Sequence, residues 1–312
     1  VKIIGGWDVG FNSVVGYSEL DGDNSVKHVI FAKDVTNIVL SNLVIREGNA
    51  NGNYPHDSGG GICFWNVFYS LVGNVIVTGN SASYYGGGIY LGSSSSNVIS
   101  SDVYSNSATN GGGIYLYTSS NNVISGNVYS NSAIYYGGGI YLGSSSSNMI
   151  SGSVYNNSSD RDGGGICLVF SSNNVISGSV YNNSAGYYGG GVYVYNSSDT
   201  LILNSYITNN WGASINSVIH LRNGGSLTGL VISNCFIGGN NDTSSIGIYE
   251  DGTADTMNHK LVGNVFITNR LGYLYYEYGG NYIADDSDWV NINNPTFIDS
   301  TSDSTNNKVT NM

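Results

Sequence analysis

The amino-acid sequence predicts an all-β protein that folds as a single parallel β-helix. The first observation is a Gly-Gly-Gly triplet that returns with spacings of 27, 25, 26, 26 and 26 residues, a period typical of a solenoid. The second is that each unit contains short apolar patches rich in β-branched residues and bounded by Ser, Asn or Gly, which indicates short strands joined by turns. The triplets begin at Gly59, Gly86, Gly111, Gly137, Gly163 and Gly189.

One repeat of about 26 residues has room for three short strands and three turns, so each repeat is predicted to form one rung. About ten rungs, stacked at about 4.8 Å, would form a rod on the order of 50 Å long. Equivalent aliphatic residues are predicted to form the core, and equivalent asparagines to stack beside it as an amide ladder. The core columns are Ile62, Ile89, Ile114, Ile140, Ile166 and Val192, and Ile99, Ile124, Ile150 and Ile176, and the ladder is Asn97, Asn122, Asn148 and Asn174.

The chain is predicted to form one elongated body. Residues 1–27 are an atypical capping rung, in which Trp7 and Phe11 are expected to cover the open end of the core. Residues 28–297 form the β-helix, with regular repeats over 59–210 and irregular rungs over 211–297. Residues 298–312 have the composition of a mobile tail.

Composition restricts the classes of partner. Net charge is −12 over 312 residues, and only 10% of residues are charged, which disfavours nucleic acid and anionic membrane surfaces as partners. No segment has the apolar length of a membrane span, and the chain opens in a strand-like segment without a signal peptide, as expected of a mature product or a fragment. Cys63, Cys167 and Cys235 are predicted to be free thiols, because the first two lie about four rungs apart.

Two files of tyrosines are predicted to point away from the core, because side chains alternate across a strand. Exposed tyrosines present flat apolar faces with a hydrogen-bonding tip, which suits sugar rings or another protein surface. Alternatively, the rings only support one another as a stacking ladder, while further tyrosine pairs crowd the Gly corner. The first file is Tyr90, Tyr115, Tyr141 and Tyr193, the second is Tyr104, Tyr129, Tyr155 and Tyr181, and the corner pairs are Tyr84-Tyr85, Tyr135-Tyr136 and Tyr187-Tyr188.

Other polar groups indicate few sites. The insertion GNANGNYPHDS carries His56 and Asp57 near Arg46 and Glu47, a mixture of acid, base and cation that also fits a solvated loop. The segment Asp160-Arg161-Asp162 replaces a corner tyrosine pair, but its consecutive side chains diverge, so no catalytic residues are predicted. Calcium is the one cofactor for which the sequence offers ligands, at Asp285, Asp286 and Asp288, where a solvated acidic turn is the alternative, and at Asp21 and Asp23, where a plain turn is the alternative. Candidate glycosylation sequons begin at Asn156, Asn157, Asn182, Asn196 and Asn241, although chance explains most sequons in so Asn-rich a chain.

Several motifs together resemble a known family. They are Gly5-Gly6-Trp7, Leu20-Asp21-Gly22-Asp23, Arg46-Glu47-Gly48-Asn49-Ala50, and repeated Asn-Ser-Ala followed by Gly-Gly-Gly-Ile-Tyr. Over residues 3–210 the chain resembles the right-handed parallel β-helix repeats of the polymorphic outer membrane protein and extracellular adhesin-like group. This resemblance implies a right-handed, pectate-lyase-like β-helix in a secreted or surface-attached protein.

Two functional hypotheses follow. The first is a non-enzymatic protein of the extracellular space or cell surface, adhesive or structural, whose partners are surface glycans or further copies of itself. Open strand edges at the ends of a β-helix are templates for pairing, so end-to-end assembly into fibres is plausible. The alternative is a carbohydrate-binding protein or a polysaccharide lyase or hydrolase, because pectate lyases and polygalacturonases share the fold. Degradation is disfavoured, since no Asp cluster with Arg or Lys and no aligned Asp pair lies on adjacent rungs.

Overall fold

In the computed structural model, the described part of the chain consists of strands and turns, without a helix. Every pairing between its named strands is parallel, as in the pairs Ile114↔Ile89 and Ile114↔Ile140. The predicted all-β parallel β-helix is confirmed. The structure describes residues 1–10, 12–225, 227–238, 246–252, 260–262, 264–267, 273–277 and 296–298.

The strands are short because Gly, Ser and Asn interrupt each apolar patch. The N-terminal strands are β1 (Lys2–Ile4), β2 (Ser18–Asp21), β3 (Ile30–Thr36), β4 (Val39–Arg46), β5 (Asn49–Ala50), β6 (Ile62–Phe68), β7 (Leu71–Thr78) and β8 (Ser81–Ala82). The strands of the regular repeats are β9 (Ile89–Gly92), β10 (Val98–Tyr104), β11 (Ser107–Asn110), β12 (Ile114–Tyr117), β13 (Val123–Ile124), β14 (Val128–Tyr129), β15 (Ser132–Tyr136), β16 (Ile140–Gly143), β17 (Met149–Ile150), β18 (Val154–Tyr155), β19 (Ser158–Ser159), β20 (Ile166–Val169), β21 (Val175–Ile176), β22 (Val180–Tyr181), β23 (Ser184–Ala185) and β24 (Val192–Tyr195). The later strands are β25 (Leu201–Leu203), β26 (Tyr206–Thr208), β27 (Trp211–Gly212), β28 (Ser217–Asn223), β29 (Val231–Ser233), β30 (Phe236–Gly238), β31 (Ile246–Gly252), β32 (Lys260–Val262), β33 (Val265–Ile267), β34 (Tyr273–Glu277) and β35 (Thr296–Ile298).

Three parallel sheets form the faces of the β-helix. The first sheet has ten strands in the order β3-β6-β9-β12-β16-β20-β24-β28-β31-β34 and takes one strand from each rung after the N-terminal one. The second has 18 strands, with two from most rungs, and the third has seven, in the order β27-β23-β19-β15-β11-β8-β5. The ten strands of the first sheet agree with the predicted number of rungs.

The core follows the predicted columns. Residues of both columns, from Ile62 to Val192 and from Ile99 to Ile176, are at most 1% exposed. Further columns join them, including Leu91, Leu116, Leu142 and Leu168 of the first sheet. Each rung therefore repeats the burial of the rung below, and the core continues without interruption along the axis.

Hydrogen-bonded polar ladders accompany this core. In the predicted ladder, each Asn Nδ2 donates to the Oδ1 of the next asparagine at 3.1–3.2 Å, which confirms that prediction. A second asparagine ladder and a serine file were missed, although both recur at fixed offsets in each repeat. The second ladder is Asn80, Asn106, Asn131, Asn157, Asn183 and Asn210, and the serine file is Ser94, Ser119, Ser145, Ser171 and Ser197.

The Gly triplets lie between the third and first sheets, at a corner of each rung. Gly137 has a φ of 64°, a left-handed conformation that costs little only for glycine. A Cβ on Gly138 would collide with the Ser158 carbonyl oxygen and lie 2.5 Å from that of Gly164. Stacked backbones leave no space for a side chain at this corner.

The N-terminal rung differs from its prediction. Strands β1 and β2 both pair with β4 and continue the second sheet. Trp7 is 42% exposed and donates from Nε1 to the Ile4 carbonyl, so it does not cover the core, and Phe11 lies outside the described residues. Half-buried aliphatic residues of the first rungs, including Leu20 and Val29, pack against the core end instead. The three cysteines are free, as predicted, but Cys63 and Cys167, which alternation places in the outward file, are buried like Cys235.

Candidate functional site

A tyrosine-lined cavity of about 490 Å³ opens on the outer side of the first sheet, beside the insertion that precedes the first Gly triplet. Strands β9 and β12 provide its floor, the corner before Gly86 one wall, and the insertion the other. Aromatic rings supply most of the lining, together with one carboxyl group. The lining residues are Tyr54, Asp57, Tyr84, Tyr85, Tyr90, Tyr115 and Tyr117.

The insertion is a folded loop. Gly52 N donates to the His56 carbonyl at 2.9 Å, and His56 N to that of Asn53 at 2.8 Å. The loop packs Tyr54 edge-on against Trp65, with ring centroids 4.8 Å apart, and the Tyr54 hydroxyl lies 3.4 Å from that of Tyr90. Local turn bonds and one aromatic anchor therefore hold the loop over the sheet.

The predicted exposure of the first tyrosine file is wrong. Tyr90, Tyr115 and Tyr193 are 1%, 6% and 3% exposed, and Tyr141 is half-buried. All four side chains do point away from the core, but stacked neighbours cover their faces: the Tyr115 and Tyr141 rings lie 4.7 Å apart at 3°. A further ring, Tyr85, lies 4.7 Å from Tyr115. Alternation predicts direction, whereas exposure depends on the elements that pack outside the sheet.

Burial also determines the chemistry of this file. It raises the pKa of Tyr90, Tyr115 and Tyr141 far above the usual range, so these phenols stay protonated. Burial likewise raises the pKa of the Cys63 thiol to about 12, which leaves no thiolate at neutral pH. These groups can donate hydrogen bonds and stack, but they do not supply a base or a nucleophile.

The accessible rings of the cavity are three tyrosines that the sequence analysis did not select as binding residues. Tyr54, Tyr84 and Tyr117 are 50%, 52% and 44% exposed. Tyr117 pairs in register with Gly92 and Gly143. The sequence signal for Tyr117 was a tyrosine at a position where both neighbouring repeats have glycine. The residues around Tyr54 in the sequence did not indicate that this side chain contacts the sheet.

The second tyrosine file is a half-buried stack on the second sheet. Tyr104, Tyr129, Tyr155 and Tyr181 follow one another at 4.8–4.9 Å, with interplanar angles of 2–14°. Burial raises the pKa of Tyr129 to about 12. This geometry agrees with the alternative of mutual support, and binding by this file stays a prediction.

Two polar groups with incomplete hydrogen bonding lie farther along the β-helix, on the side of the first sheet and its Gly corner. Asp162 is 3% exposed, and its Oδ1 has no partner within the described part of the chain. Burial raises the pKa of this carboxyl to about 6. Burial lowers the pKa of His220 to about 3, and its Nε2 is likewise unpartnered within the described ranges.

Two histidines meet at the base of the insertion. His28 Nε2 lies 2.9 Å from His56 Nδ1, while His28 Nδ1 lies 3.0 Å from the Gly59 carbonyl oxygen. Burial lowers the pKa of His28, which favours the neutral, metal-competent imidazole. Across the residues that the structure describes, no group of three or more His, Cys, Asp or Glu side chains is arranged to hold a metal ion.

The remaining predicted sites are the glycosylation sequons and the calcium candidates, and the structure excludes two of the sequons. Asn157 is 1% exposed, and its amide nitrogen donates to Val128 O and Asn183 Oδ1, so it is excluded as a glycosylation acceptor in the folded protein. Asn196 is also excluded, because it is buried and accepts a bond from the Gly224 amide. Exposed Asn156 and Asn182 stay predictions. Outside the described residues lie Asn241 and the calcium candidates Asp285, Asp286 and Asp288.

Solved structures with the same fold come from Azotobacter vinelandii. The A-module of mannuronan C-5 epimerase AlgE4 matches at 16% identity and a TM-score of 0.55, over 80% of this chain and 65% of that module. The AlgE6 A-module matches at 18% identity and a TM-score of 0.53, over 79% of this chain and 62% of that module. The chain thus spans less than two thirds of either module, and these likenesses support the right-handed, pectate-lyase-like β-helix fold.

Sequence comparison gives a further result. No curated protein matches the chain. A family model described as "Periplasmic copper-binding protein (NosD)" matches residues 27–299, which include most of the β-helix and both histidines of the pair. No helix among the described residues is long and apolar enough to cross a membrane. Since the match extends over far more than half of the chain, the protein belongs to the NosD family of parallel β-helix proteins.

Proposed function

We propose that this protein is a non-enzymatic glycan-binding β-helix that works outside the cytoplasm. The observation that carries the proposal is the cavity of about 490 Å³ with its wall of partly exposed tyrosines. Sugar rings have apolar faces and polar edges, so they match side chains with a flat ring and a hydroxyl tip. Strands β9 and β12 of the first sheet hold three of the lining tyrosines, Tyr90, Tyr115 and Tyr117.

The cavity combines a buried floor with an accessible rim. Tyr90 and Tyr115 form a preorganised floor, while Tyr84 and Tyr117 expose enough surface to stack on a ligand. Asp57 adds a carboxyl group to the lining; it is 6% exposed, and its Oδ1 accepts a 2.7 Å bond from the Ser58 hydroxyl. Preorganised rings reduce the entropy lost on binding.

The same chemistry supports binding rather than catalysis. Glycoside hydrolysis uses a pair of carboxyl groups, whereas Asp57 is the one carboxyl group among the residues that line the cavity. The buried phenols stay protonated, as their raised pKa values indicate. The solved neighbours are epimerases, but the shared fold does not by itself transfer their reaction.

Replacing Tyr117 with serine is expected to weaken glycan binding about tenfold, because it removes a stacking face without disturbing the core. Isothermal titration calorimetry with cellohexaose, chitohexaose and methyl-esterified hexagalacturonate would measure the change. Tyr69→Ser is the matched control, since Tyr69 is 67% exposed and lies outside the cavity lining.

Failure of all three hexasaccharides to bind the unaltered protein at millimolar concentration would overturn the glycan-binding proposal. Equal losses in Tyr117→Ser and Tyr69→Ser would move the binding surface away from the cavity. New reducing ends or unsaturated products in the same mixtures would contradict the non-enzymatic part.

The family description supports the proposed location. It names a periplasmic protein, and we extend that compartment to this chain. Cell-surface display and end-to-end assembly into fibres stay predictions. The exposed strand β3 carries Lys33 and Asp34 at the N-terminal end of the first sheet, and charged edge residues disfavour strand pairing between molecules.

Copper binding is a second candidate function, supported by the family description and by the histidine pair. The Gly59 carbonyl orients His28 as a second-shell partner would, and imidazole is a suitable copper ligand. However, the described residues add no third donor to the pair. The residues of the described part therefore do not fit a complete copper centre.

We expect Cu²⁺ to bind this protein more weakly than micromolar, because two imidazoles form an incomplete ligand set. Calorimetric titration in a non-coordinating buffer would show this binding, and His28→Ala should abolish it. Met149→Leu is the control, since it removes a 41% exposed thioether that is not part of the histidine pair. Sub-micromolar binding that survives His28→Ala would contradict this prediction and place the ligands elsewhere.

A further inference from the structure

A column of mostly exposed residues follows the corner just before the Gly triplets. Tyr84, Tyr135 and Tyr187 of this column are 52%, 46% and 49% exposed, and Tyr84 also lines the cavity. One repeat has an arginine at the equivalent position. In chain order the column is Tyr84, Thr109, Tyr135, Arg161 and Tyr187, each two residues before a triplet.

Arg161 is held by aromatic rings. Its guanidinium carbon lies 5.4 Å from the ring centroid of Tyr136 and 5.8 Å from that of Tyr187. Stacking of this kind fixes a guanidinium plane by cation–π attraction and leaves its N–H edge available. Because Arg161 itself is exposed, that edge is accessible from solvent.

The guanidinium of Arg161 is not engaged in a close ion pair within the described part of the chain. Arg161 is the one Lys or Arg between Gly86 and Thr200. Among the described residues, the ion pairs within 4.0 Å involve Lys33, Arg46 and Arg222 as cations, and none involves Arg161. The adjacent Asp162 is buried, and burial raises the pKa of its carboxyl group to about 6.

We propose that Arg161 is a carboxylate-binding subsite for an acidic glycan whose rings stack on the tyrosines of the same column. The guanidinium fork matches a carboxylate in a two-point hydrogen bond, and Tyr135 and Tyr187 lie on either side of it in the column. This inference rests on the proposed glycan binding and adds the ligand class, a polymer of uronic-acid type.

The position of the subsite suits a chain that begins in the cavity. Tyr84 and Arg161 are three repeats apart, roughly 14 Å at the usual spacing between strands. A single oligosaccharide can therefore contact both. One guanidinium takes one sugar carboxylate at a time, and the net charge of −12 opposes the approach of the remaining carboxylates of a polyuronate.

Hexagalacturonate and its fully methyl-esterified form test this inference, because they share one backbone and differ in charge. At neutral pH and low ionic strength, the acid is expected to bind the unaltered protein about tenfold more tightly than the ester, as charge-assisted hydrogen bonds imply. In Arg161→Gln the acid and the ester should bind equally. Arg161→Lys should recover only part of the difference, because lysine keeps the charge but not the fork.

Arg222→Gln is the matched control. Arg222 lies 5.9 Å from the Tyr195 ring but pairs with Asp251 at 3.8 Å, so the acid-to-ester ratio should stay as in the unaltered protein. Equal binding of acid and ester to the unaltered protein would overturn the subsite and leave glycan binding intact. Binding of neither form, nor of the neutral hexasaccharides, would overturn both proposals.

Discussion

Replacing Gly138 with alanine is expected to lower the free energy of unfolding by about 3 kcal/mol or more. The new Cβ would collide with the Ser158 carbonyl oxygen and lie 2.5 Å from that of Gly164. Both atoms belong to backbone that is itself hydrogen-bonded between rungs, so no flexible side chain can yield. Urea unfolding followed by circular dichroism would measure the loss.

Gly16→Ala is the control for this substitution. A Cβ at Gly16 meets nothing within 4 Å, so its free energy of unfolding should change by no more than about 0.5 kcal/mol. If Gly138→Ala unfolded at the same urea concentration as Gly16→Ala, the corner would be able to widen, and close stacking of the triplets would not be required.

Replacing Asn131 with alanine is expected to cost about 3 kcal/mol, because it opens a buried ladder. Asn131 Oδ1 accepts bonds from the backbone and side-chain nitrogens of Asn106, both at 3.0 Å. Its Nδ2 donates to Val103 O at 2.9 Å and to Asn157 Oδ1 at 3.0 Å. Alanine leaves the Asn106 amide and the Val103 carbonyl buried without these partners.

The matched control is Asn127→Ala, four residues earlier in the same repeat. Asn127 is exposed, and its side chain donates a 3.1 Å bond to Asp102 at the surface. Its loss should change the free energy of unfolding by no more than about 0.5 kcal/mol. Equal unfolding midpoints for Asn131→Ala and Asn127→Ala would show that the ladder adds little to stability.

Repetition explains why so much of the fold was predictable. A residue such as Ile114 meets its own equivalents, Ile89 and Ile140, in the rungs on either side. Residues that contact each other between rungs therefore occupy the same position in successive repeats. The columns of core residues follow from the repeat period alone. Asn122 joins its ladder for the same reason.

The cavity was harder to predict because it depends on departures from the repeat. Tyr54 belongs to a unique insertion, and its contact with Trp65 has no equivalent in another rung. Tyr117 replaces a glycine that both neighbouring repeats have. Arg161 was noted as an interruption, but its position against Tyr136 and Tyr187 became clear only from the structure.

By itself, the sequence determined the rung period, the aliphatic core, the first asparagine ladder and the Gly corner. Each of these features repeats from one rung to the next, and the length of that repeat can be read directly from the sequence. Tertiary structure alone decided which outward side chains are accessible: Tyr90 is 1% exposed, whereas Tyr117 is 44% exposed. Alternation along a strand sets the direction of a side chain, but the loop and corner packed outside the sheet set its contact with water.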